Sequence, residues 1–384
     1  MRIVIVIERM DPQRGGRETS TAQVALELAR RGHEVTILCQ TGCWADPHVR
    51  LRLLGAAGLW HVSRLGAFVA DVQREIAVGG YDIVHAMLPL PGASAYQLRG
   101  GTVPAQRRAA IRRRSILERP LVIAAQPLNL RRRALARLER QVVADPKTLC
   151  LPPSRMVAEE LERYYGRREG VRVVYNAVDV PDPEGPQRRQ SREQHRSRMS
   201  IDDEAVVFLV VAKNYELKGV AESIIAFARW YHSLRGRRVA RLVVVGREAS
   251  EGYQRHANLR DVAGAVVFAP HTPEVFSWYA AADVCLLLSW YDPCSRVVLE
   301  AARWGIPSIT TAYNGAAEFL SEGAGIVVGS PRDFKAVVAA MDRLADPAGR
   351  AAFSAACSRM GGQLSISRHV DELLAAYCRL PARA

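Results

Sequence analysis

The sequence lacks the signatures of several large functional classes. It has no run of about 18 uninterrupted apolar residues, so an apolar membrane-spanning helix is not expected. The apolar start MRIVIVIER turns polar within ten residues, with no small-residue cleavage site behind it. It reads as a first buried strand and not as a signal peptide. The seven cysteines (39, 43, 150, 285, 294, 357 and 378) are odd in number and form no CxxC pair. That argues against a disulfide framework or a zinc cluster and for a reducing, cytoplasmic setting. Cys39 and Cys43 have a permissive metal spacing, but no second pair or histidine couplet completes a site. There is no GxGxxG fingerprint, P-loop, HExxH, GxSxG elbow or DxD carboxylate pair. A dinucleotide cofactor and a DxD-bound divalent metal are therefore not expected. Aromatic residues are few, at 7%.

What the chain does have is apolar substance and glycine: 49% hydrophobic residues and 28 glycines in 384. This suits an α/β protein with many tight strand-to-helix turns. In the first half, candidate strands are Ile3–Ile7, Val35–Cys39, Ile83–His85, Leu121–Ala125, Leu149–Leu151 and Val171–Tyr175. Between the first two lies Thr21–Arg31, with Ala22, Ala25, Leu26 and Ala29 at helical spacing and Gly32 to end the helix. Such βαβ repetition predicts a parallel sheet with helices on both faces. The second half repeats it, with strands at Val206–Val211, Leu242–Val245, Val266–Phe268, Val284–Leu288, Ile306–Thr310 and Ile326–Val328.

Between the halves, PDPEGPQRRQSREQHRSRMS is proline-bearing, charged and poor in large apolar residues. It reads as a linker followed by an exposed helix. The expected division is residues 1–180, a linker 181–204, and residues 205–364. The closing helical segment, Arg368–Arg379 within about 365–384, is expected to pack back on the first domain. The fold class is α/β: two doubly wound, Rossmann-like parallel sheets facing a cleft, the default ligand site.

Three places carry chemistry. In Tyr291-Asp292-Pro293-Cys294-Ser295-Arg296-Val297-Val298-Leu299-Glu300, a strand end, a loop and a helix start meet. Ser295 is a natural N-cap behind Pro293. Backbone amides at Arg296 and Val297 would face an anion. Glu300 would lie roughly 7 Å along the helix. A turn-capping Asp292 and a solvated Glu300 would give the same pattern. The second place is Lys213-Asn214-Tyr215-Glu216-Leu217-Lys218-Gly219, where two lysines flank a strand-to-helix turn suited to a diphosphate; two surface lysines are the alternative. The third is Gly15-Gly16 after the first strand, where backbone can come close to a ligand, or simply turn. His85 at a strand end and Asn176 in VVYNAVD are weaker candidates.

Together these residues resemble the family 4 retaining glycosyltransferases of the GT-B fold, over nearly the whole chain. GGRETSTAQVALELARRGHEVTIL looks like the family's opening glycine loop, helix and second strand. VVYNAVD is similar to its NGVD signature, and KNYELKG to its donor-phosphate segment. YDPCSRVVLEAARWGIPSITTAYNGAAEFL is similar to its E-x7-E region, with Asp292 as the first acid and Glu300 as the second.

The resemblance implies a nucleotide-diphosphate sugar donor, UDP- or GDP-linked, and no cofactor or metal. It implies Glu300 on the donor ribose and Asp292 at the transferring sugar. Lys218 and Lys213 would neutralise the diphosphate, aided by the Arg296 and Val297 amides. Gly15 and Gly16 would admit the phosphates, and Asn176 falls in the segment similar to the NGVD signature. Four residues depart from the pattern: Asp292 for glutamate, Lys213 for arginine, Ala177 for glycine, and Met87 where a histidine is common.

The charge is uneven. The net charge is +14, and residues 101–140 hold eleven arginines against two acids. Such a stretch attracts an acidic membrane surface, a phosphorylated glycolipid or nucleic acid, and a solvated, arginine-rich face is the alternative. With PLPGASAYQLRGG it resembles family members that build lipopolysaccharide cores and surface glycans at the inner face of the membrane. The acceptor implied is a glycan or glycolipid. A non-catalytic glycan or polyanion binder on the same fold is the rival reading. Nucleic acid is not expected as a partner, because no aromatic residue interleaves the arginines.

Overall fold

The computed structural model describes residues 1–381 apart from 56–60, 181–185, 203, 237–238, 249, 271, 273–274 and 321–322. The first residues of the expected linker, 181–185, thus lie outside the described residues. The chain divides into two units, Met1–Ala177 with Ser365–Ala384, and Val178–Leu364.

The first unit holds strands β1 (Arg2–Met10), β2 (Glu34–Gly42), β3 (Val49–Leu53), β4 (Ile83–Ala86), β5 (Ala95–Gln97) and β6 (Leu149–Leu151). They form one sheet in the order β3-β2-β1-β4-β5-β6, parallel throughout. The run of β-branched residues in β1 is explained by burial on both faces. Ile3, Ile5 and Ile7 pack with Ala25 and Leu28 of the helix Gly16–Arg30 and with Val370 and Leu373 of the closing helix. Val4 and Val6 face Phe68 and Val72. Each such side chain contributes about 1.5–3 kcal/mol. The closing helix, Ile366–Tyr377, is capped by Ser365, whose hydroxyl accepts from the Arg368 amide.

The second unit holds β7 (Val206–Ala212), β8 (Ala240–Gly246), β9 (Val266–Pro270), β10 (Val284–Leu287), β11 (Ser308–Thr311) and β12 (Gly325–Val328). Their order is β12-β11-β10-β7-β8-β9, again parallel. Counted within each unit, the two orders are the same. β7 alternates like β1: Phe208 and Val210 pack with Phe227 and Trp230, while Val207 and Leu209 face Val298 and Ala302.

Four expectations need correction. Leu121–Ala125 is helical, within Arg119–Ala125. Pro120 sets its first turn, and β6 takes the sheet position beside β5. Val171–Tyr175 forms no strand; it makes a single parallel bridge from Val171 to Cys150. Two strands carried too weak a signal: the edge strand β3, which alternates with arginines, and the three-residue β5. Finally, the helix Pro186–Arg198 is not simply exposed. Arg196 is only 1% exposed and donates to the Asp283 carboxylate at 2.7 Å and to the Ala205 carbonyl at 3.1 Å. Arg192 donates to the same carboxylate at 3.0 Å. A charged pattern looked solvated in sequence, but two of its arginines hold an almost fully buried acid.

Candidate active site

In an open parallel sheet, ligands bind beyond the carboxyl ends of the strands, where the strand order reverses. In the second unit that point lies between β7 and β10. The turn Lys213–Gly219 leaves β7, and the loop to Ser295 leaves β10, so two of the sequence candidates arrive at one place.

The turn is built by its own polar groups. Asn214 Oδ1 accepts from the Leu217 amide at 2.8 Å, and the Glu248 carboxylate accepts from the Tyr215 amide at 2.7 Å. Gly219 has φ +69°, and a Cβ there would stand 2.1 Å from the Leu288 carbonyl oxygen. Only glycine allows both that backbone and that approach. The Trp290 amide donates to the Leu217 carbonyl at 2.9 Å, stitching the two connections together. Across the stitch, the Lys218 ammonium and the Asp292 carboxylate form an ion pair.

Asp292 is held from behind. Its amide donates to the Tyr313 carbonyl at 2.9 Å, and its carbonyl accepts from the Gly315 amide at 2.8 Å. Between these, buried Asn314 accepts from the Ser295 amide at 3.2 Å and the Ala316 amide at 3.0 Å, and donates to Thr310 Oγ1 at 3.0 Å. The loop after β11 therefore fixes both Asp292 and the start of the next helix, Arg296–Arg303. Sequence reasoning did not single out Asn314. Its signal was the Asn-Gly pair shortly after a strand.

Ser295 occupies the N-cap position with extended backbone, as expected, but its hydroxyl caps nothing. It is 2% exposed, and its Oγ has no hydrogen-bond partner among the described residues. The amides of Arg296 and Val297 open this helix, at the end where the intrahelical pattern begins. An anion beside the Lys218–Asp292 pair would meet the positive end of this helix's dipole.

Glu300 lies one turn further and is not a solvated helix acid. It accepts from the Tyr279 hydroxyl at 3.0 Å and lies 3.4 Å from an Arg296 guanidinium nitrogen. Burial raises its pKa above the usual carboxylate range, against the pull of Arg296 and Tyr279. Tyr279 was a second residue that sequence reasoning missed. Lys213, at the mouth of the turn, is exposed.

The other candidates belong to the first unit. Gly15 and Gly16 follow β1; Gly15 is extended and Gly16 begins the helix. Asn176 is buried, and its carbonyl accepts from Arg368 at 3.2 Å.

His85 requires correction. It is buried inside β4, not displayed at a strand end. Nδ1 lies 2.5 Å from the Tyr377 hydroxyl, and Nε2 lies 3.1 Å from Gln97 Oε1. Gln97 Oε1 also accepts from Arg99 Nε at 2.9 Å. An oxygen acceptor at Nε2 assigns the proton there, so Nδ1 accepts from Tyr377. Burial, with the Arg99 charge, pushes the imidazole down to about 3. It is a neutral tie between the sheet and the closing helix, with both ring nitrogens engaged.

The architecture and sequence both have relatives. A model of "Glycosyltransferase Family 4" matches residues 14–181, and a model of "Glycosyl transferases group 1" matches residues 205–346. The lipopolysaccharide glucosyltransferase WaaG of Escherichia coli (strain K12) is 26% identical over 323 residues, covering 83% of this chain and 82% of that one. A D-inositol 3-phosphate glycosyltransferase of Geodermatophilus obscurus is 27% identical over 394 residues, covering 94% and 84%. The crystal structure of WaaG, a glycosyltransferase involved in lipopolysaccharide biosynthesis, superposes with a TM-score of 0.81 at 22% identity, covering 97% of this chain and 98% of that one. That likeness shows the GT-B fold. With one family model over each half, the chain belongs to the group 1 and family 4 glycosyltransferases.

Proposed function

We propose that this glycosyltransferase takes a hexose from a nucleoside-diphosphate donor, UDP- or GDP-linked, and transfers it with retention to a glycan or glycolipid of the cell surface. One observation carries the reading: Lys218, Asp292 and the start of the helix Arg296–Arg303 converge where the strand order of the second unit reverses.

In the proposed reaction the bond between the anomeric carbon and the phosphate oxygen breaks. The acceptor oxygen bonds to that carbon on the same face and passes its proton to the departing phosphate oxygen. The departing diphosphate gains negative charge. Lys218, Lys213 and the Arg296 and Val297 amides oppose it, so the required positive field is built from the protein itself. Because Lys218 is paired with Asp292 in this structure, the donor phosphate must compete for it. Asp292, released, then faces the sugar. Glu300, already oriented by Tyr279 and Arg296, accepts the ribose hydroxyls. Gly15, Gly16 and Asn176 are the first unit's proposed contributions. The relatives favour a surface-glycan or phosphate-bearing acceptor. The arginine-rich stretch 107–140 is proposed to draw the enzyme to an acidic membrane surface at the inner face.

Thermal-shift screening against a panel of nucleotide sugars tests this reading. One UDP- or GDP-sugar should stabilise the protein, and slow hydrolysis of that donor should follow. Stabilisation by none of them removes the reading.

A further inference from the structure

Trp290 stands two residues before Asp292, in the connection that leaves β10. Connections at the rim of a site are ordinarily open to solvent, yet this indole is only 3% exposed. Among the described residues it joins neither of the unit's two apolar cores. Its partners are charged instead. The Glu222 carboxylate accepts from the indole N–H, and the Arg332 guanidinium lies over the ring, 5.0 Å from its centroid. Arg332 Nε is also 3.7 Å from the same carboxylate. Acid, ring and guanidinium thus close a triangle in which the buried N–H and the aromatic face are both used.

The three come from three connections of one sheet. Glu222 lies in the first turn of the helix Val220–Ser233, directly after Lys218 and Gly219. Arg332 follows β12. In the sheet, β11 lies between β10 and β12, so the Arg332 contact spans the strand whose connection holds the Asp292 backbone from behind. Glu222 also has a plainer use, since an acid in a first turn meets the positive end of its helix. That use accounts for the carboxylate alone. It explains neither the indole N–H aimed at it nor the guanidinium laid on the ring. Burial raises the Glu222 pKa, opposed by its own amide, by Arg332 and by the Trp290 hydrogen bond. A nearly buried acid is costly unless it is paired in this way.

The triangle bears on Asp292 and not on Glu300. The Trp290 amide already donates to the Leu217 carbonyl, so this residue is fixed through both backbone and side chain. Only Tyr291 separates it from Asp292. Glu300 is oriented by a different set, Tyr279 and Arg296. We propose that Glu222 and Arg332 are positioning residues for Asp292: they hold the Trp290 indole, and the indole fixes the turn that directs Asp292 at the transferring sugar. This rests on the donor-site reading above and deepens it.

The test is a double-mutant cycle on the full chain. It is read as kcat for hydrolysis of the nucleotide sugar that stabilises the protein, with calorimetric affinity for UDP or GDP beside it. Trp290→Phe keeps a ring for Arg332 and removes only the N–H donor. Arg332→Gln changes an exposed side chain and leaves both cores intact. Each should lower kcat about tenfold while nucleoside-diphosphate Kd stays within ~2-fold. In an Asp292→Asn background the same substitutions should lower kcat by less than ~2-fold further, because the group they position is already gone. Arg332→Lys should recover at least ~3-fold of the loss seen in Arg332→Gln, since it keeps a cation for the ring and the acid. Equal losses in both backgrounds would mark a general loosening of the fold and overturn the proposal. So would wild-type kcat in either variant, or a diphosphate affinity that falls in step with kcat. Failure of the wild type to bind either nucleotide would instead remove the donor-site reading, and this inference with it.

Discussion

The two units share one strand order, and so each has a reversal point: between β1 and β4 in the first, and between β7 and β10 in the second. They fill it differently. In the second unit the connections there carry Lys218, Asp292 and a helix start whose cap hydroxyl is unspent. In the first, two glycines stand after β1, and the polar residue on β4, His85, is turned inward and neutral. A fold offers a location, and side chains decide whether it becomes a charged site or a plain backbone surface.

The difference can be broken most severely at Glu300. Glu300→Ala should lower kcat/KM for donor turnover on the order of 10³-fold, about 4 kcal/mol of transition-state stabilisation, with a folded protein by circular dichroism. Lys218→Ala should cost a similar amount and weaken nucleoside-diphosphate binding as well. Asp292→Asn should lower turnover by ~100-fold yet leave diphosphate affinity unchanged or up to ~10-fold tighter, because Lys218 loses its competing anion. A calorimetric titration of the variant separates the two effects; an equal loss in both would contradict the competition.

A pH series sharpens the contrast between the units. Glu300 is pushed up by burial, so its ionised form, the proposed ribose acceptor, is lost at higher pH than an ordinary carboxylate would be. Donor affinity should therefore weaken on acidification, beginning at a higher pH than an ordinary carboxylate would set, and the Glu300→Gln variant should lose that dependence. His85 acts through stability instead. The unfolded chain binds a proton below its ordinary value of 6.5, while the folded imidazole refuses it down to about 3. Stability should thus fall by about 1.4 kcal/mol per pH unit on acidification below pH 6.5. His85→Gln should reduce that acid slope while leaving donor turnover within ~3-fold at neutral pH. A large loss of turnover with unchanged acid stability would restore a catalytic role to His85.

These contrasts also mark what the sequence could reveal. Long, doubly buried strands such as β1 and β7 were legible because apolar runs with both faces covered leave a clear composition. β3 and β5 were not: one is an arginine-bearing edge, the other three residues long. Leu121–Ala125 misled for a physical reason, since an apolar stretch with β-branched residues reads as a strand when it is assumed to lie in a core, and this one packs on none. At the site, Lys218, Asp292 and Glu300 were visible because each follows a strand at a spacing that chemistry recognises. Asn314 and Tyr279 were invisible because their work is done across loops distant in sequence. His85 and Arg196 show the converse error, in which a polar residue was read as displayed when buried partners satisfy it.

The central claim, that the second unit's reversal point is the donor site, is tested most directly by calorimetric titration of UDP and GDP into the wild type, Glu300→Ala and Lys218→Ala. The account predicts that one nucleotide binds the wild type and that each substitution weakens it at least ~10-fold. Equal binding to all three proteins would place the nucleotide elsewhere and contradict it.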